Sequence, residues 1–205
     1  MTEEAKVSLT ILIPAGRLPL EIMNTAQQLA GQHDLEVYLS TAQNLRLNNI
    51  PEGVLEEVKS TLAAVGSEFK APGKFLLPRV CVGKDHCKFG LVDTRAVSDT
   101  ILKRFADRAH TKGKVKLAVA ACPLCCSSPK TTDIGIIATA KGFELYAGGK
   151  GGPFPKIGQR IAKEADEEQI LEMIATLVEF HDQKTESKQR LVKLLDDPEF
   201  PFAEV

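Results

Sequence analysis

The sequence predicts an α+β fold built in two parts. Between residues 7 and 65 the apolar positions follow the order strand, helix, two strands, helix. The segment 66–77 contains Gly66, Pro72 and Gly73, which indicates a link to a second part. That part combines short apolar runs typical of strands with two helical stretches. We predict one domain over 1–72, a second over 73–183 and a C-terminal tail over 184–205.

Helix and strand signals in the first part come from periodicity and from residues that end each run. Residues 7–13 alternate between apolar and smaller or polar side chains, and Pro14 interrupts them. Pro19 is suited to open a helix, and Gly31 and Gly66 are suited to end the two helices. The predicted elements are a strand over 7–13, a helix over 19–31, strands over 36–41 and 45–50, and a helix over 54–65. With a closing strand, this order is that of a ferredoxin-like split βαβ unit.

The second part is predicted to contain α/β layers. Its predicted elements are a helix over 93–109, strands over 115–120, 134–138 and 143–147, a glycine-rich loop over 148–153, and a helix over 167–183. Asp166 is a plausible N-cap for the last helix, which has one apolar stripe. The tail is mostly charged apart from Leu191, Leu194 and Leu195, so it could be a docking helix or a loose tail.

Composition limits the classes of partner. The chain has 205 residues, with 26 Lys and Arg against 27 Asp and Glu, for a net charge of -1. This balance does not indicate nucleic acid or an anionic membrane as a partner. The N-terminal stretch Met1–Lys6 is polar and acidic rather than basic and then apolar, and no later apolar run reaches the ~20 residues of a membrane span. We therefore expect a cytoplasmic protein.

Four of the five cysteines form two close pairs. Cys81 and Cys87 are separated by five residues, and Cys122 and Cys126 by three, with a predicted helix and strand between the pairs. In a reducing compartment this pattern favours a metal or redox role over disulfides. Four thiolates suit an iron-sulfur cluster. A zinc site with His86 as a spare ligand is an alternative, although zinc ligands are usually spaced more closely. Cys122 and Cys125 could also form a thiol redox couple.

The two cysteine motifs resemble those of one enzyme family. Residues 81–94, Cys-Val-Gly-Lys-Asp-His-Cys-Lys-Phe-Gly-Leu-Val-Asp-Thr, are similar to the first cluster motif of nitrite/sulfite reductases. Residues 122–126, Cys-Pro-Leu-Cys-Cys, followed by Thr-Asp-Ile-Gly-Ile at 132–136, are similar to the second. The loop 146–152 and the segments 14–18 and 41–45 also resemble motifs of this family. The resemblance covers residues 7–182.

This resemblance implies two cofactors. Cys81, Cys87, Cys122 and Cys126 would hold a 4Fe-4S cluster, and Cys126 would share its thiolate with the iron of a siroheme. Cys125 has no counterpart in the family, so we expect a small buried thiol beside the cluster rather than a ligand. Family members reduce sulfite to sulfide, or nitrite to ammonia, with six electrons at the siroheme iron.

The sequence departs from the family pattern where the anion is expected to bind. Ala42 stands where the family usually has an arginine, and the strand before Pro14 lacks the basic residues of larger members. Candidate substitutes for these cations are Arg46, Lys74, Arg79 and Lys84. Siroheme carries eight carboxylates, so cations and amides should surround it. The candidates for binding this cofactor are Gln43, Asn44, Arg46, Lys150 and Cys126.

The resemblance is to the short, single-repeat sulfite reductases. Larger members carry two copies of each half domain, and this chain carries one of each, so a homodimer could restore the missing half. A ferredoxin or a flavoprotein subunit is expected to supply the electrons. Two hypotheses about function follow. One is a sulfite or, second, nitrite reductase; the other is a 4Fe-4S electron-transfer or regulatory protein that kept the fold without anion reduction.

Overall fold

A computed structural model describes residues 5–186 and 188–205, so part of the polar N-terminal stretch, residues 1–4, lies outside the described residues. The chain divides into two compact units, one ending at Ala71 and the other beginning at Pro72. None of the described helices has the length and apolar character needed to cross a membrane.

The first unit is a four-stranded antiparallel sheet with two helices. Its elements are β1 (Lys6–Leu12), α1 (Leu20–His33), β2 (Glu36–Leu39), β3 (Leu45–Pro51), α2 (Leu55–Ala64) and β4 (Glu68–Phe69). The strands lie in the order β2-β3-β1-β4. β4 pairs with β1 through Ile11 opposite Phe69. It is the closing strand that a ferredoxin-like unit requires, so the ferredoxin-like prediction is confirmed.

Apolar periodicity explains the core of this unit. Leu9 and Ile11 of β1 are buried, with their partners on β3, and α1 and α2 each bury one apolar stripe. α1 continues past Gly31 to His33, because Asp34 takes the left-handed conformation that ends a helix and its N–H donates to the Ala30 carbonyl.

The second unit is a five-stranded mixed sheet with two helices. Its elements are β5 (Arg79–Val80), α3 (Thr94–Arg104), β6 (Leu117–Ala120), β7 (Ile134–Thr139), β8 (Gly142–Ala147), β9 (Gln159–Ala165) and α4 (Glu167–Lys184). The strands lie in sequence order, with β5, β6 and β7 parallel and β7, β8 and β9 antiparallel. β6 and most of β7 are buried, so this pair forms the centre of the unit.

Helix boundaries in this unit follow from capping. The Asp93 carboxylate accepts hydrogen bonds from the N–H groups of Arg95 and Ala96 and begins α3. α3 ends at Arg104, earlier than the predicted residue 109, and Phe105 turns inward to stack on Phe75 with ring centroids 4.2 Å apart. The predicted N-cap of α4 is confirmed.

The C-terminal segment packs on the second unit. It contains a short 3-10 helix, Leu191–Lys193, rather than a docking helix. Leu191 is fully buried and Leu194 is 7% exposed. Among its described residues, the segment is therefore neither a docking helix nor a loose tail.

Candidate iron-sulfur site

The two cysteine loops begin at the same edge of the second sheet. Cys81 follows β5, and Cys122 follows β6 after one intervening residue. β5 and β6 are adjacent and parallel, with Val80 opposite Val119. Because the carboxyl ends of parallel strands point the same way, the loops leave the sheet side by side.

Hydrogen bonds hold the loops together. The Cys81 N–H donates to the Val119 carbonyl at 3.2 Å, and the Ala121 N–H lies 3.2 Å from the Cys81 sulfur, which accepts it. The Leu91 N–H donates to the Ala121 carbonyl at 2.9 Å, so the end of the first loop is fixed beside the start of the second. Hydrogen bonds from N–H groups to ligating sulfurs are typical of iron-sulfur sites.

The first loop is closed by α3 and by a glycine. The Thr94 hydroxyl, at the start of α3, donates to the Cys81 carbonyl at 2.6 Å, and Thr94 is completely buried. Gly83 has φ +80°, and a β-carbon there would lie 2.9 Å from the Thr94 hydroxyl. The Gly90 N–H donates to the Cys87 carbonyl at 2.9 Å. These contacts fix the backbone on both sides of the two cysteines.

The second loop is a tight turn. The Cys125 N–H donates to the Cys122 carbonyl at 3.2 Å, and the Ser128 N–H donates to the Cys125 carbonyl at 2.8 Å. Cys125 takes a left-handed conformation, with φ +56°, and its thiol donates to the Pro123 carbonyl at 3.2 Å. Burial raises the pKa of the Cys125 thiol above its ordinary value. This thiol is half-buried, whereas the prediction was a small buried residue.

The Arg79 side chain makes two hydrogen bonds to the segment that contains the second loop. Its Nε donates to the Ser127 carbonyl at 2.8 Å, and a second guanidinium nitrogen donates to the Thr132 hydroxyl at 3.1 Å. Burial lowers the pKa of this guanidinium. Arg79 is also a predicted candidate for binding the anion, and that role stays a prediction. The structure shows these side-chain contacts with the loop that carries Cys122 and Cys126.

The four predicted ligands differ in exposure. Cys122 is buried, Cys81 and Cys87 are half-buried, and Cys126 is exposed. Among residues 5–186 and 188–205, no three His, Cys, Asp or Glu side chains lie close enough to hold one metal ion. A cubane binds its four thiolates at four separate corners, so its ligands are farther apart than those of a single ion. Four thiols on two joined loops, with an N–H aimed at one sulfur, fit an iron-sulfur cluster.

Apolar side chains are exposed around these loops. Val82, Phe89 and Leu91 are 43%, 54% and 46% exposed on the first loop, and Leu124 is 63% exposed on the second. Single exposed apolar residues are ordinary, whereas four on two adjacent loops provide apolar surface near the cysteines. Apolar surface of this kind is compatible with a large and partly apolar cofactor. His86, the spare zinc ligand of the alternative reading, is exposed on the first loop.

The remaining predicted residues lie in three places. Arg46 is on β3, exposed between the buried Leu45 and Leu47. Gln43 and Asn44 lie in the turn before β3, and the Asn44 side-chain oxygen accepts a hydrogen bond from the Ile13 N–H at 3.1 Å. All three belong to the first unit.

Lys74, Lys84 and Lys150 belong to the second unit. Lys74 and Lys84 are exposed, and the Lys84 N–H donates to the Val92 carbonyl within the first cysteine loop. Lys150 pairs through its backbone with Lys156 at the base of the glycine-rich loop. The structure shows positions for these residues, and their roles in binding stay predictions.

Three residues with contacts in this part of the chain were not chosen as site residues from the sequence. They are Thr94, which donates to the Cys81 carbonyl, and the pair Asp133 and Arg190, which are joined by a hydrogen bond of 2.7 Å. Thr94 and Asp133 lie inside segments that resemble the family motifs, and this resemblance is the only feature of the sequence that could have pointed to them. Arg190 lies in the charged tail, where one arginine among many charges carried no signal.

Fold and site together define an α+β iron-sulfur protein with a ferredoxin-like half domain. The family described as "Nitrite and sulphite reductase 4Fe-4S domain" matches residues 75–198. The family described as "Nitrite/Sulfite reductase ferredoxin-like half domain" matches residues 2–65. The chain belongs to the nitrite and sulphite reductase 4Fe-4S family. This confirms the resemblance seen in the motifs and favours an iron-sulfur cluster over zinc.

Relatives of known function match most of the chain. The chain is 24% identical to an assimilatory-type sulfite reductase of Nitratidesulfovibrio vulgaris, over 89% of this chain and 84% of that protein. It is 27% identical to the large subunit of a nitrite reductase (NADH) of Escherichia coli, over 91% of this chain but only 22% of the relative. The chain thus spans most of the first relative and less than a quarter of the second.

Solved structures share the fold. The NirA protein of Mycobacterium tuberculosis superposes with a TM-score of 0.75 at 18% identity, over 91% of this chain and 37% of that chain. A dissimilatory sulfite reductase, DsrI, superposes with a TM-score of 0.73 at 14% identity, over 90% and 65%. At these identities the likeness establishes the fold alone.

Proposed function

We propose that this chain is a siroheme and 4Fe-4S oxidoreductase that reduces sulfite to sulfide. One observation carries the proposal: Cys81 and Cys122 begin two hydrogen-bonded loops at the ends of adjacent parallel strands, and these loops hold all four predicted ligands. The similarity to an assimilatory-type sulfite reductase over 84% of that protein favours sulfite over nitrite as the substrate.

Each ligand has a role that follows from its position. Cys81, Cys87 and Cys122 are half-buried or buried, so they hold the cluster away from water and oxygen. Cys126 is exposed, so its thiolate would be accessible to siroheme as well as to the cluster. When bound, siroheme supplies the iron at which the anion is reduced by electrons from the cluster.

Cations are needed for both the substrate and the cofactor carboxylates. The candidates for holding the sulfite anion are Arg46, Lys74, Arg79 and Lys84. Those for holding siroheme are Gln43, Asn44, Arg46 and Lys150, together with Cys126. A fixed cation stabilises an anion strongly where water is excluded, and a lysine ammonium can also donate a proton. Reduction of sulfite consumes protons as well as electrons, so such donors are required.

The electron donor is proposed to be a separate protein. A relative from Leptolyngbya laminosa is a ferredoxin-nitrite reductase, and the Escherichia coli relative is an NADH enzyme, so donors differ among relatives. A ferredoxin or a flavoprotein subunit is the proposed donor here. The five free cysteines suit a reducing compartment, so we propose a cytoplasmic location. We also propose a homodimer, which would supply the second copy of each half domain.

A second function is favoured by one specific observation. Ala42 stands where the resemblance leads us to expect an arginine, and the guanidinium of Arg79, a candidate replacement, donates to the Ser127 carbonyl and the Thr132 hydroxyl. A chain with fewer cations at the anion site could transfer electrons or sense redox state without reducing an anion. A protein with this second function would hold the same cluster and would differ only in not binding and reducing an anion.

Turnover by the loaded protein separates the two functions. The protein is produced together with the enzymes of siroheme synthesis, purified without oxygen and mixed with reduced methyl viologen and sulfite or nitrite. Release of sulfide, with slower release of ammonia from nitrite, is the expected result. Oxidation of viologen by neither anion, in a preparation that contains both cofactors, would refute the reductase and favour the second function.

Two cysteine variants provide the controls. Cys126→Ser should lose turnover and siroheme together, because its thiolate is proposed to join both cofactors. Cys125→Ser makes the same replacement of sulfur by oxygen at the neighbouring residue, and this variant should keep its cluster, siroheme and turnover. If both variants behave alike, the assignment of Cys126 is wrong.

A further inference from the structure

The C-terminal segment makes a fixed connection to the glycine-rich loop through one buried carboxylate. Asp133 lies immediately before β7, seven residues after Cys126, and its side chain is 0% exposed. It accepts three hydrogen bonds, from Arg190 Nε at 2.7 Å, the Leu191 N–H at 3.0 Å and the Lys116 N–H at 3.1 Å. Burial raises the pKa of the Asp133 carboxyl, although Arg190 and the two N–H donors favour its charged form.

Arg190 bridges this carboxylate and the loop. While its Nε donates to Asp133, a second guanidinium nitrogen donates to the Gly149 carbonyl at 3.1 Å. The Gly148 N–H donates to the Asp133 backbone carbonyl at 2.7 Å. Arg190 of the C-terminal segment therefore joins Asp133 to Gly149, the residue before Lys150.

Close packing leaves the loop little freedom beside this bridge. Gly148 has φ +75°, and a β-carbon on it would lie 2.5 Å from the Leu195 side chain. A β-carbon on Gly149 would lie 2.5 Å from the backbone carbonyls of Lys130 and Thr132. Gly148 is therefore packed against the C-terminal segment, and Gly149 against the backbone that follows the second cysteine loop. A residue with a side chain would not fit at either position.

We propose that Arg190, held by Asp133, is a positioning residue that fixes the glycine-rich loop so that Lys150 can pair with a carboxylate of siroheme. The inference rests on the proposed function, because siroheme is the ligand that Lys150 would meet. A guanidinium has several N–H donors in a rigid planar fork, so it can satisfy the carboxylate and the carbonyl together. A lysine has one ammonium on a flexible chain and cannot be expected to hold both.

The test compares Arg190→Lys with the wild-type protein. Arg190→Lys keeps a positive charge beside Asp133 and loses the planar bridge to Gly149. We expect a folded protein with a full cluster and about tenfold weaker siroheme binding, which corresponds to one lost charged hydrogen bond. Siroheme binding is titrated into cluster-loaded protein and followed by visible absorption. In the siroheme-free protein, amide hydrogen exchange at Gly148 and Gly149 should be faster in the variant.

The matched control is Arg104→Lys. Arg104 lies at the end of α3 in the same unit and pairs with Glu172 at 3.1 Å in an exposed position. This substitution should leave both siroheme binding and exchange at the glycines unchanged. Arg190→Met should weaken siroheme binding as much as Arg190→Lys or more. Its siroheme binding is compared only if the variant keeps a full cluster.

Each outcome separates this inference from the proposed function. Wild-type protein that has a full cluster and binds no siroheme overturns the proposed function, and the role of Arg190 toward siroheme falls with it. Wild-type protein that binds siroheme, with Arg190→Lys binding it equally and exchanging equally at Gly148 and Gly149, overturns this inference alone. Faster exchange without weaker siroheme binding also overturns it, because the bridge would then be structural only.

Discussion

Replacing Gly83 by alanine tests whether the first cysteine loop needs its close contact with α3. Gly83 has φ +80°, a region in which a β-carbon costs about 1–2 kcal/mol. The new carbon would also lie 2.9 Å from the Thr94 hydroxyl and 3.1 Å from its nitrogen. Thr94 is completely buried, so it must move, and its hydrogen bond to the Cys81 carbonyl would be lost at a cost of about 1 kcal/mol. The expected total is about 2–3 kcal/mol, summed from these two costs.

Gly66→Ala is the matched control for this experiment. Gly66 has φ +81°, and nothing lies within 4 Å of the position of its β-carbon. It therefore carries the same backbone cost without the collision. Both variants are purified without oxygen, and iron, acid-labile sulfide and the half-life of the cluster in air are measured.

Gly83→Ala should lose most of its cluster, and Gly66→Ala should keep a full one. Equal and complete cluster contents would refute the reasoning, because the contact between Gly83 and Thr94 would then have no effect on Cys81. Loss of cluster in both variants would show that general instability, rather than the loop, is responsible.

Three further predictions concern single side chains. Arg79→Met should lower the free energy of unfolding by about 2 kcal/mol, since a charged hydrogen bond to the Ser127 carbonyl is lost; chemical denaturation checks this, and an unchanged value would contradict it. Asp166→Ala should cost about 1 kcal/mol by the same assay, because the Asp166 side chain accepts from Gln169 in a capping box. Cys125→Gly should keep the full iron content and remove a strained conformation, raising stability by up to about 1 kcal/mol; iron loss would make Cys125 a ligand.

The fold of the first unit could be predicted largely from periodicity. Its sheet has one core-facing side and its helices have one apolar stripe, so the patterns repeat at two and at 3.6 residues. β4 falls within the predicted link because it has only two residues, Glu68 and Phe69, and no repeat can be seen in so short a run.

The second unit was harder because two of its strands carry little pattern. β5 has two residues, and β9, at the edge of the sheet, is rich in charged and polar side chains, with only Ile161 and Ala165 buried. Edge strands are often charged, which prevents pairing with other chains and also hides them from an apolar count. The predicted end of α3 at residue 109 is wrong because the inward turn of Phe105 depends on a tertiary contact with Phe75.

The cysteines of the site could be predicted from the sequence, whereas the residues that hold the cysteine loops in place could not. Pairs of cysteines are local signals in sequence, and the structure brings their loops together at one sheet edge. The supports act across long separations: Thr94 reaches Cys81, and Arg190 reaches Asp133 across 57 residues. A single Thr or Arg has no spacing from which such a partner could be deduced. The same reason applies to Arg79, whose partners appear only once the loops are folded.

The visible spectrum of protein purified without oxygen, together with its iron and acid-labile sulfide, tests the central claim most directly. The claim is that Cys81, Cys87, Cys122 and Cys126 hold a 4Fe-4S cluster beside a siroheme. Sharp bands typical of an isobacteriochlorin, with one iron more than the number of sulfides, are the predicted result when siroheme synthesis is supplied. A broad iron-sulfur absorption without those bands, and with iron equal to sulfide, would contradict it.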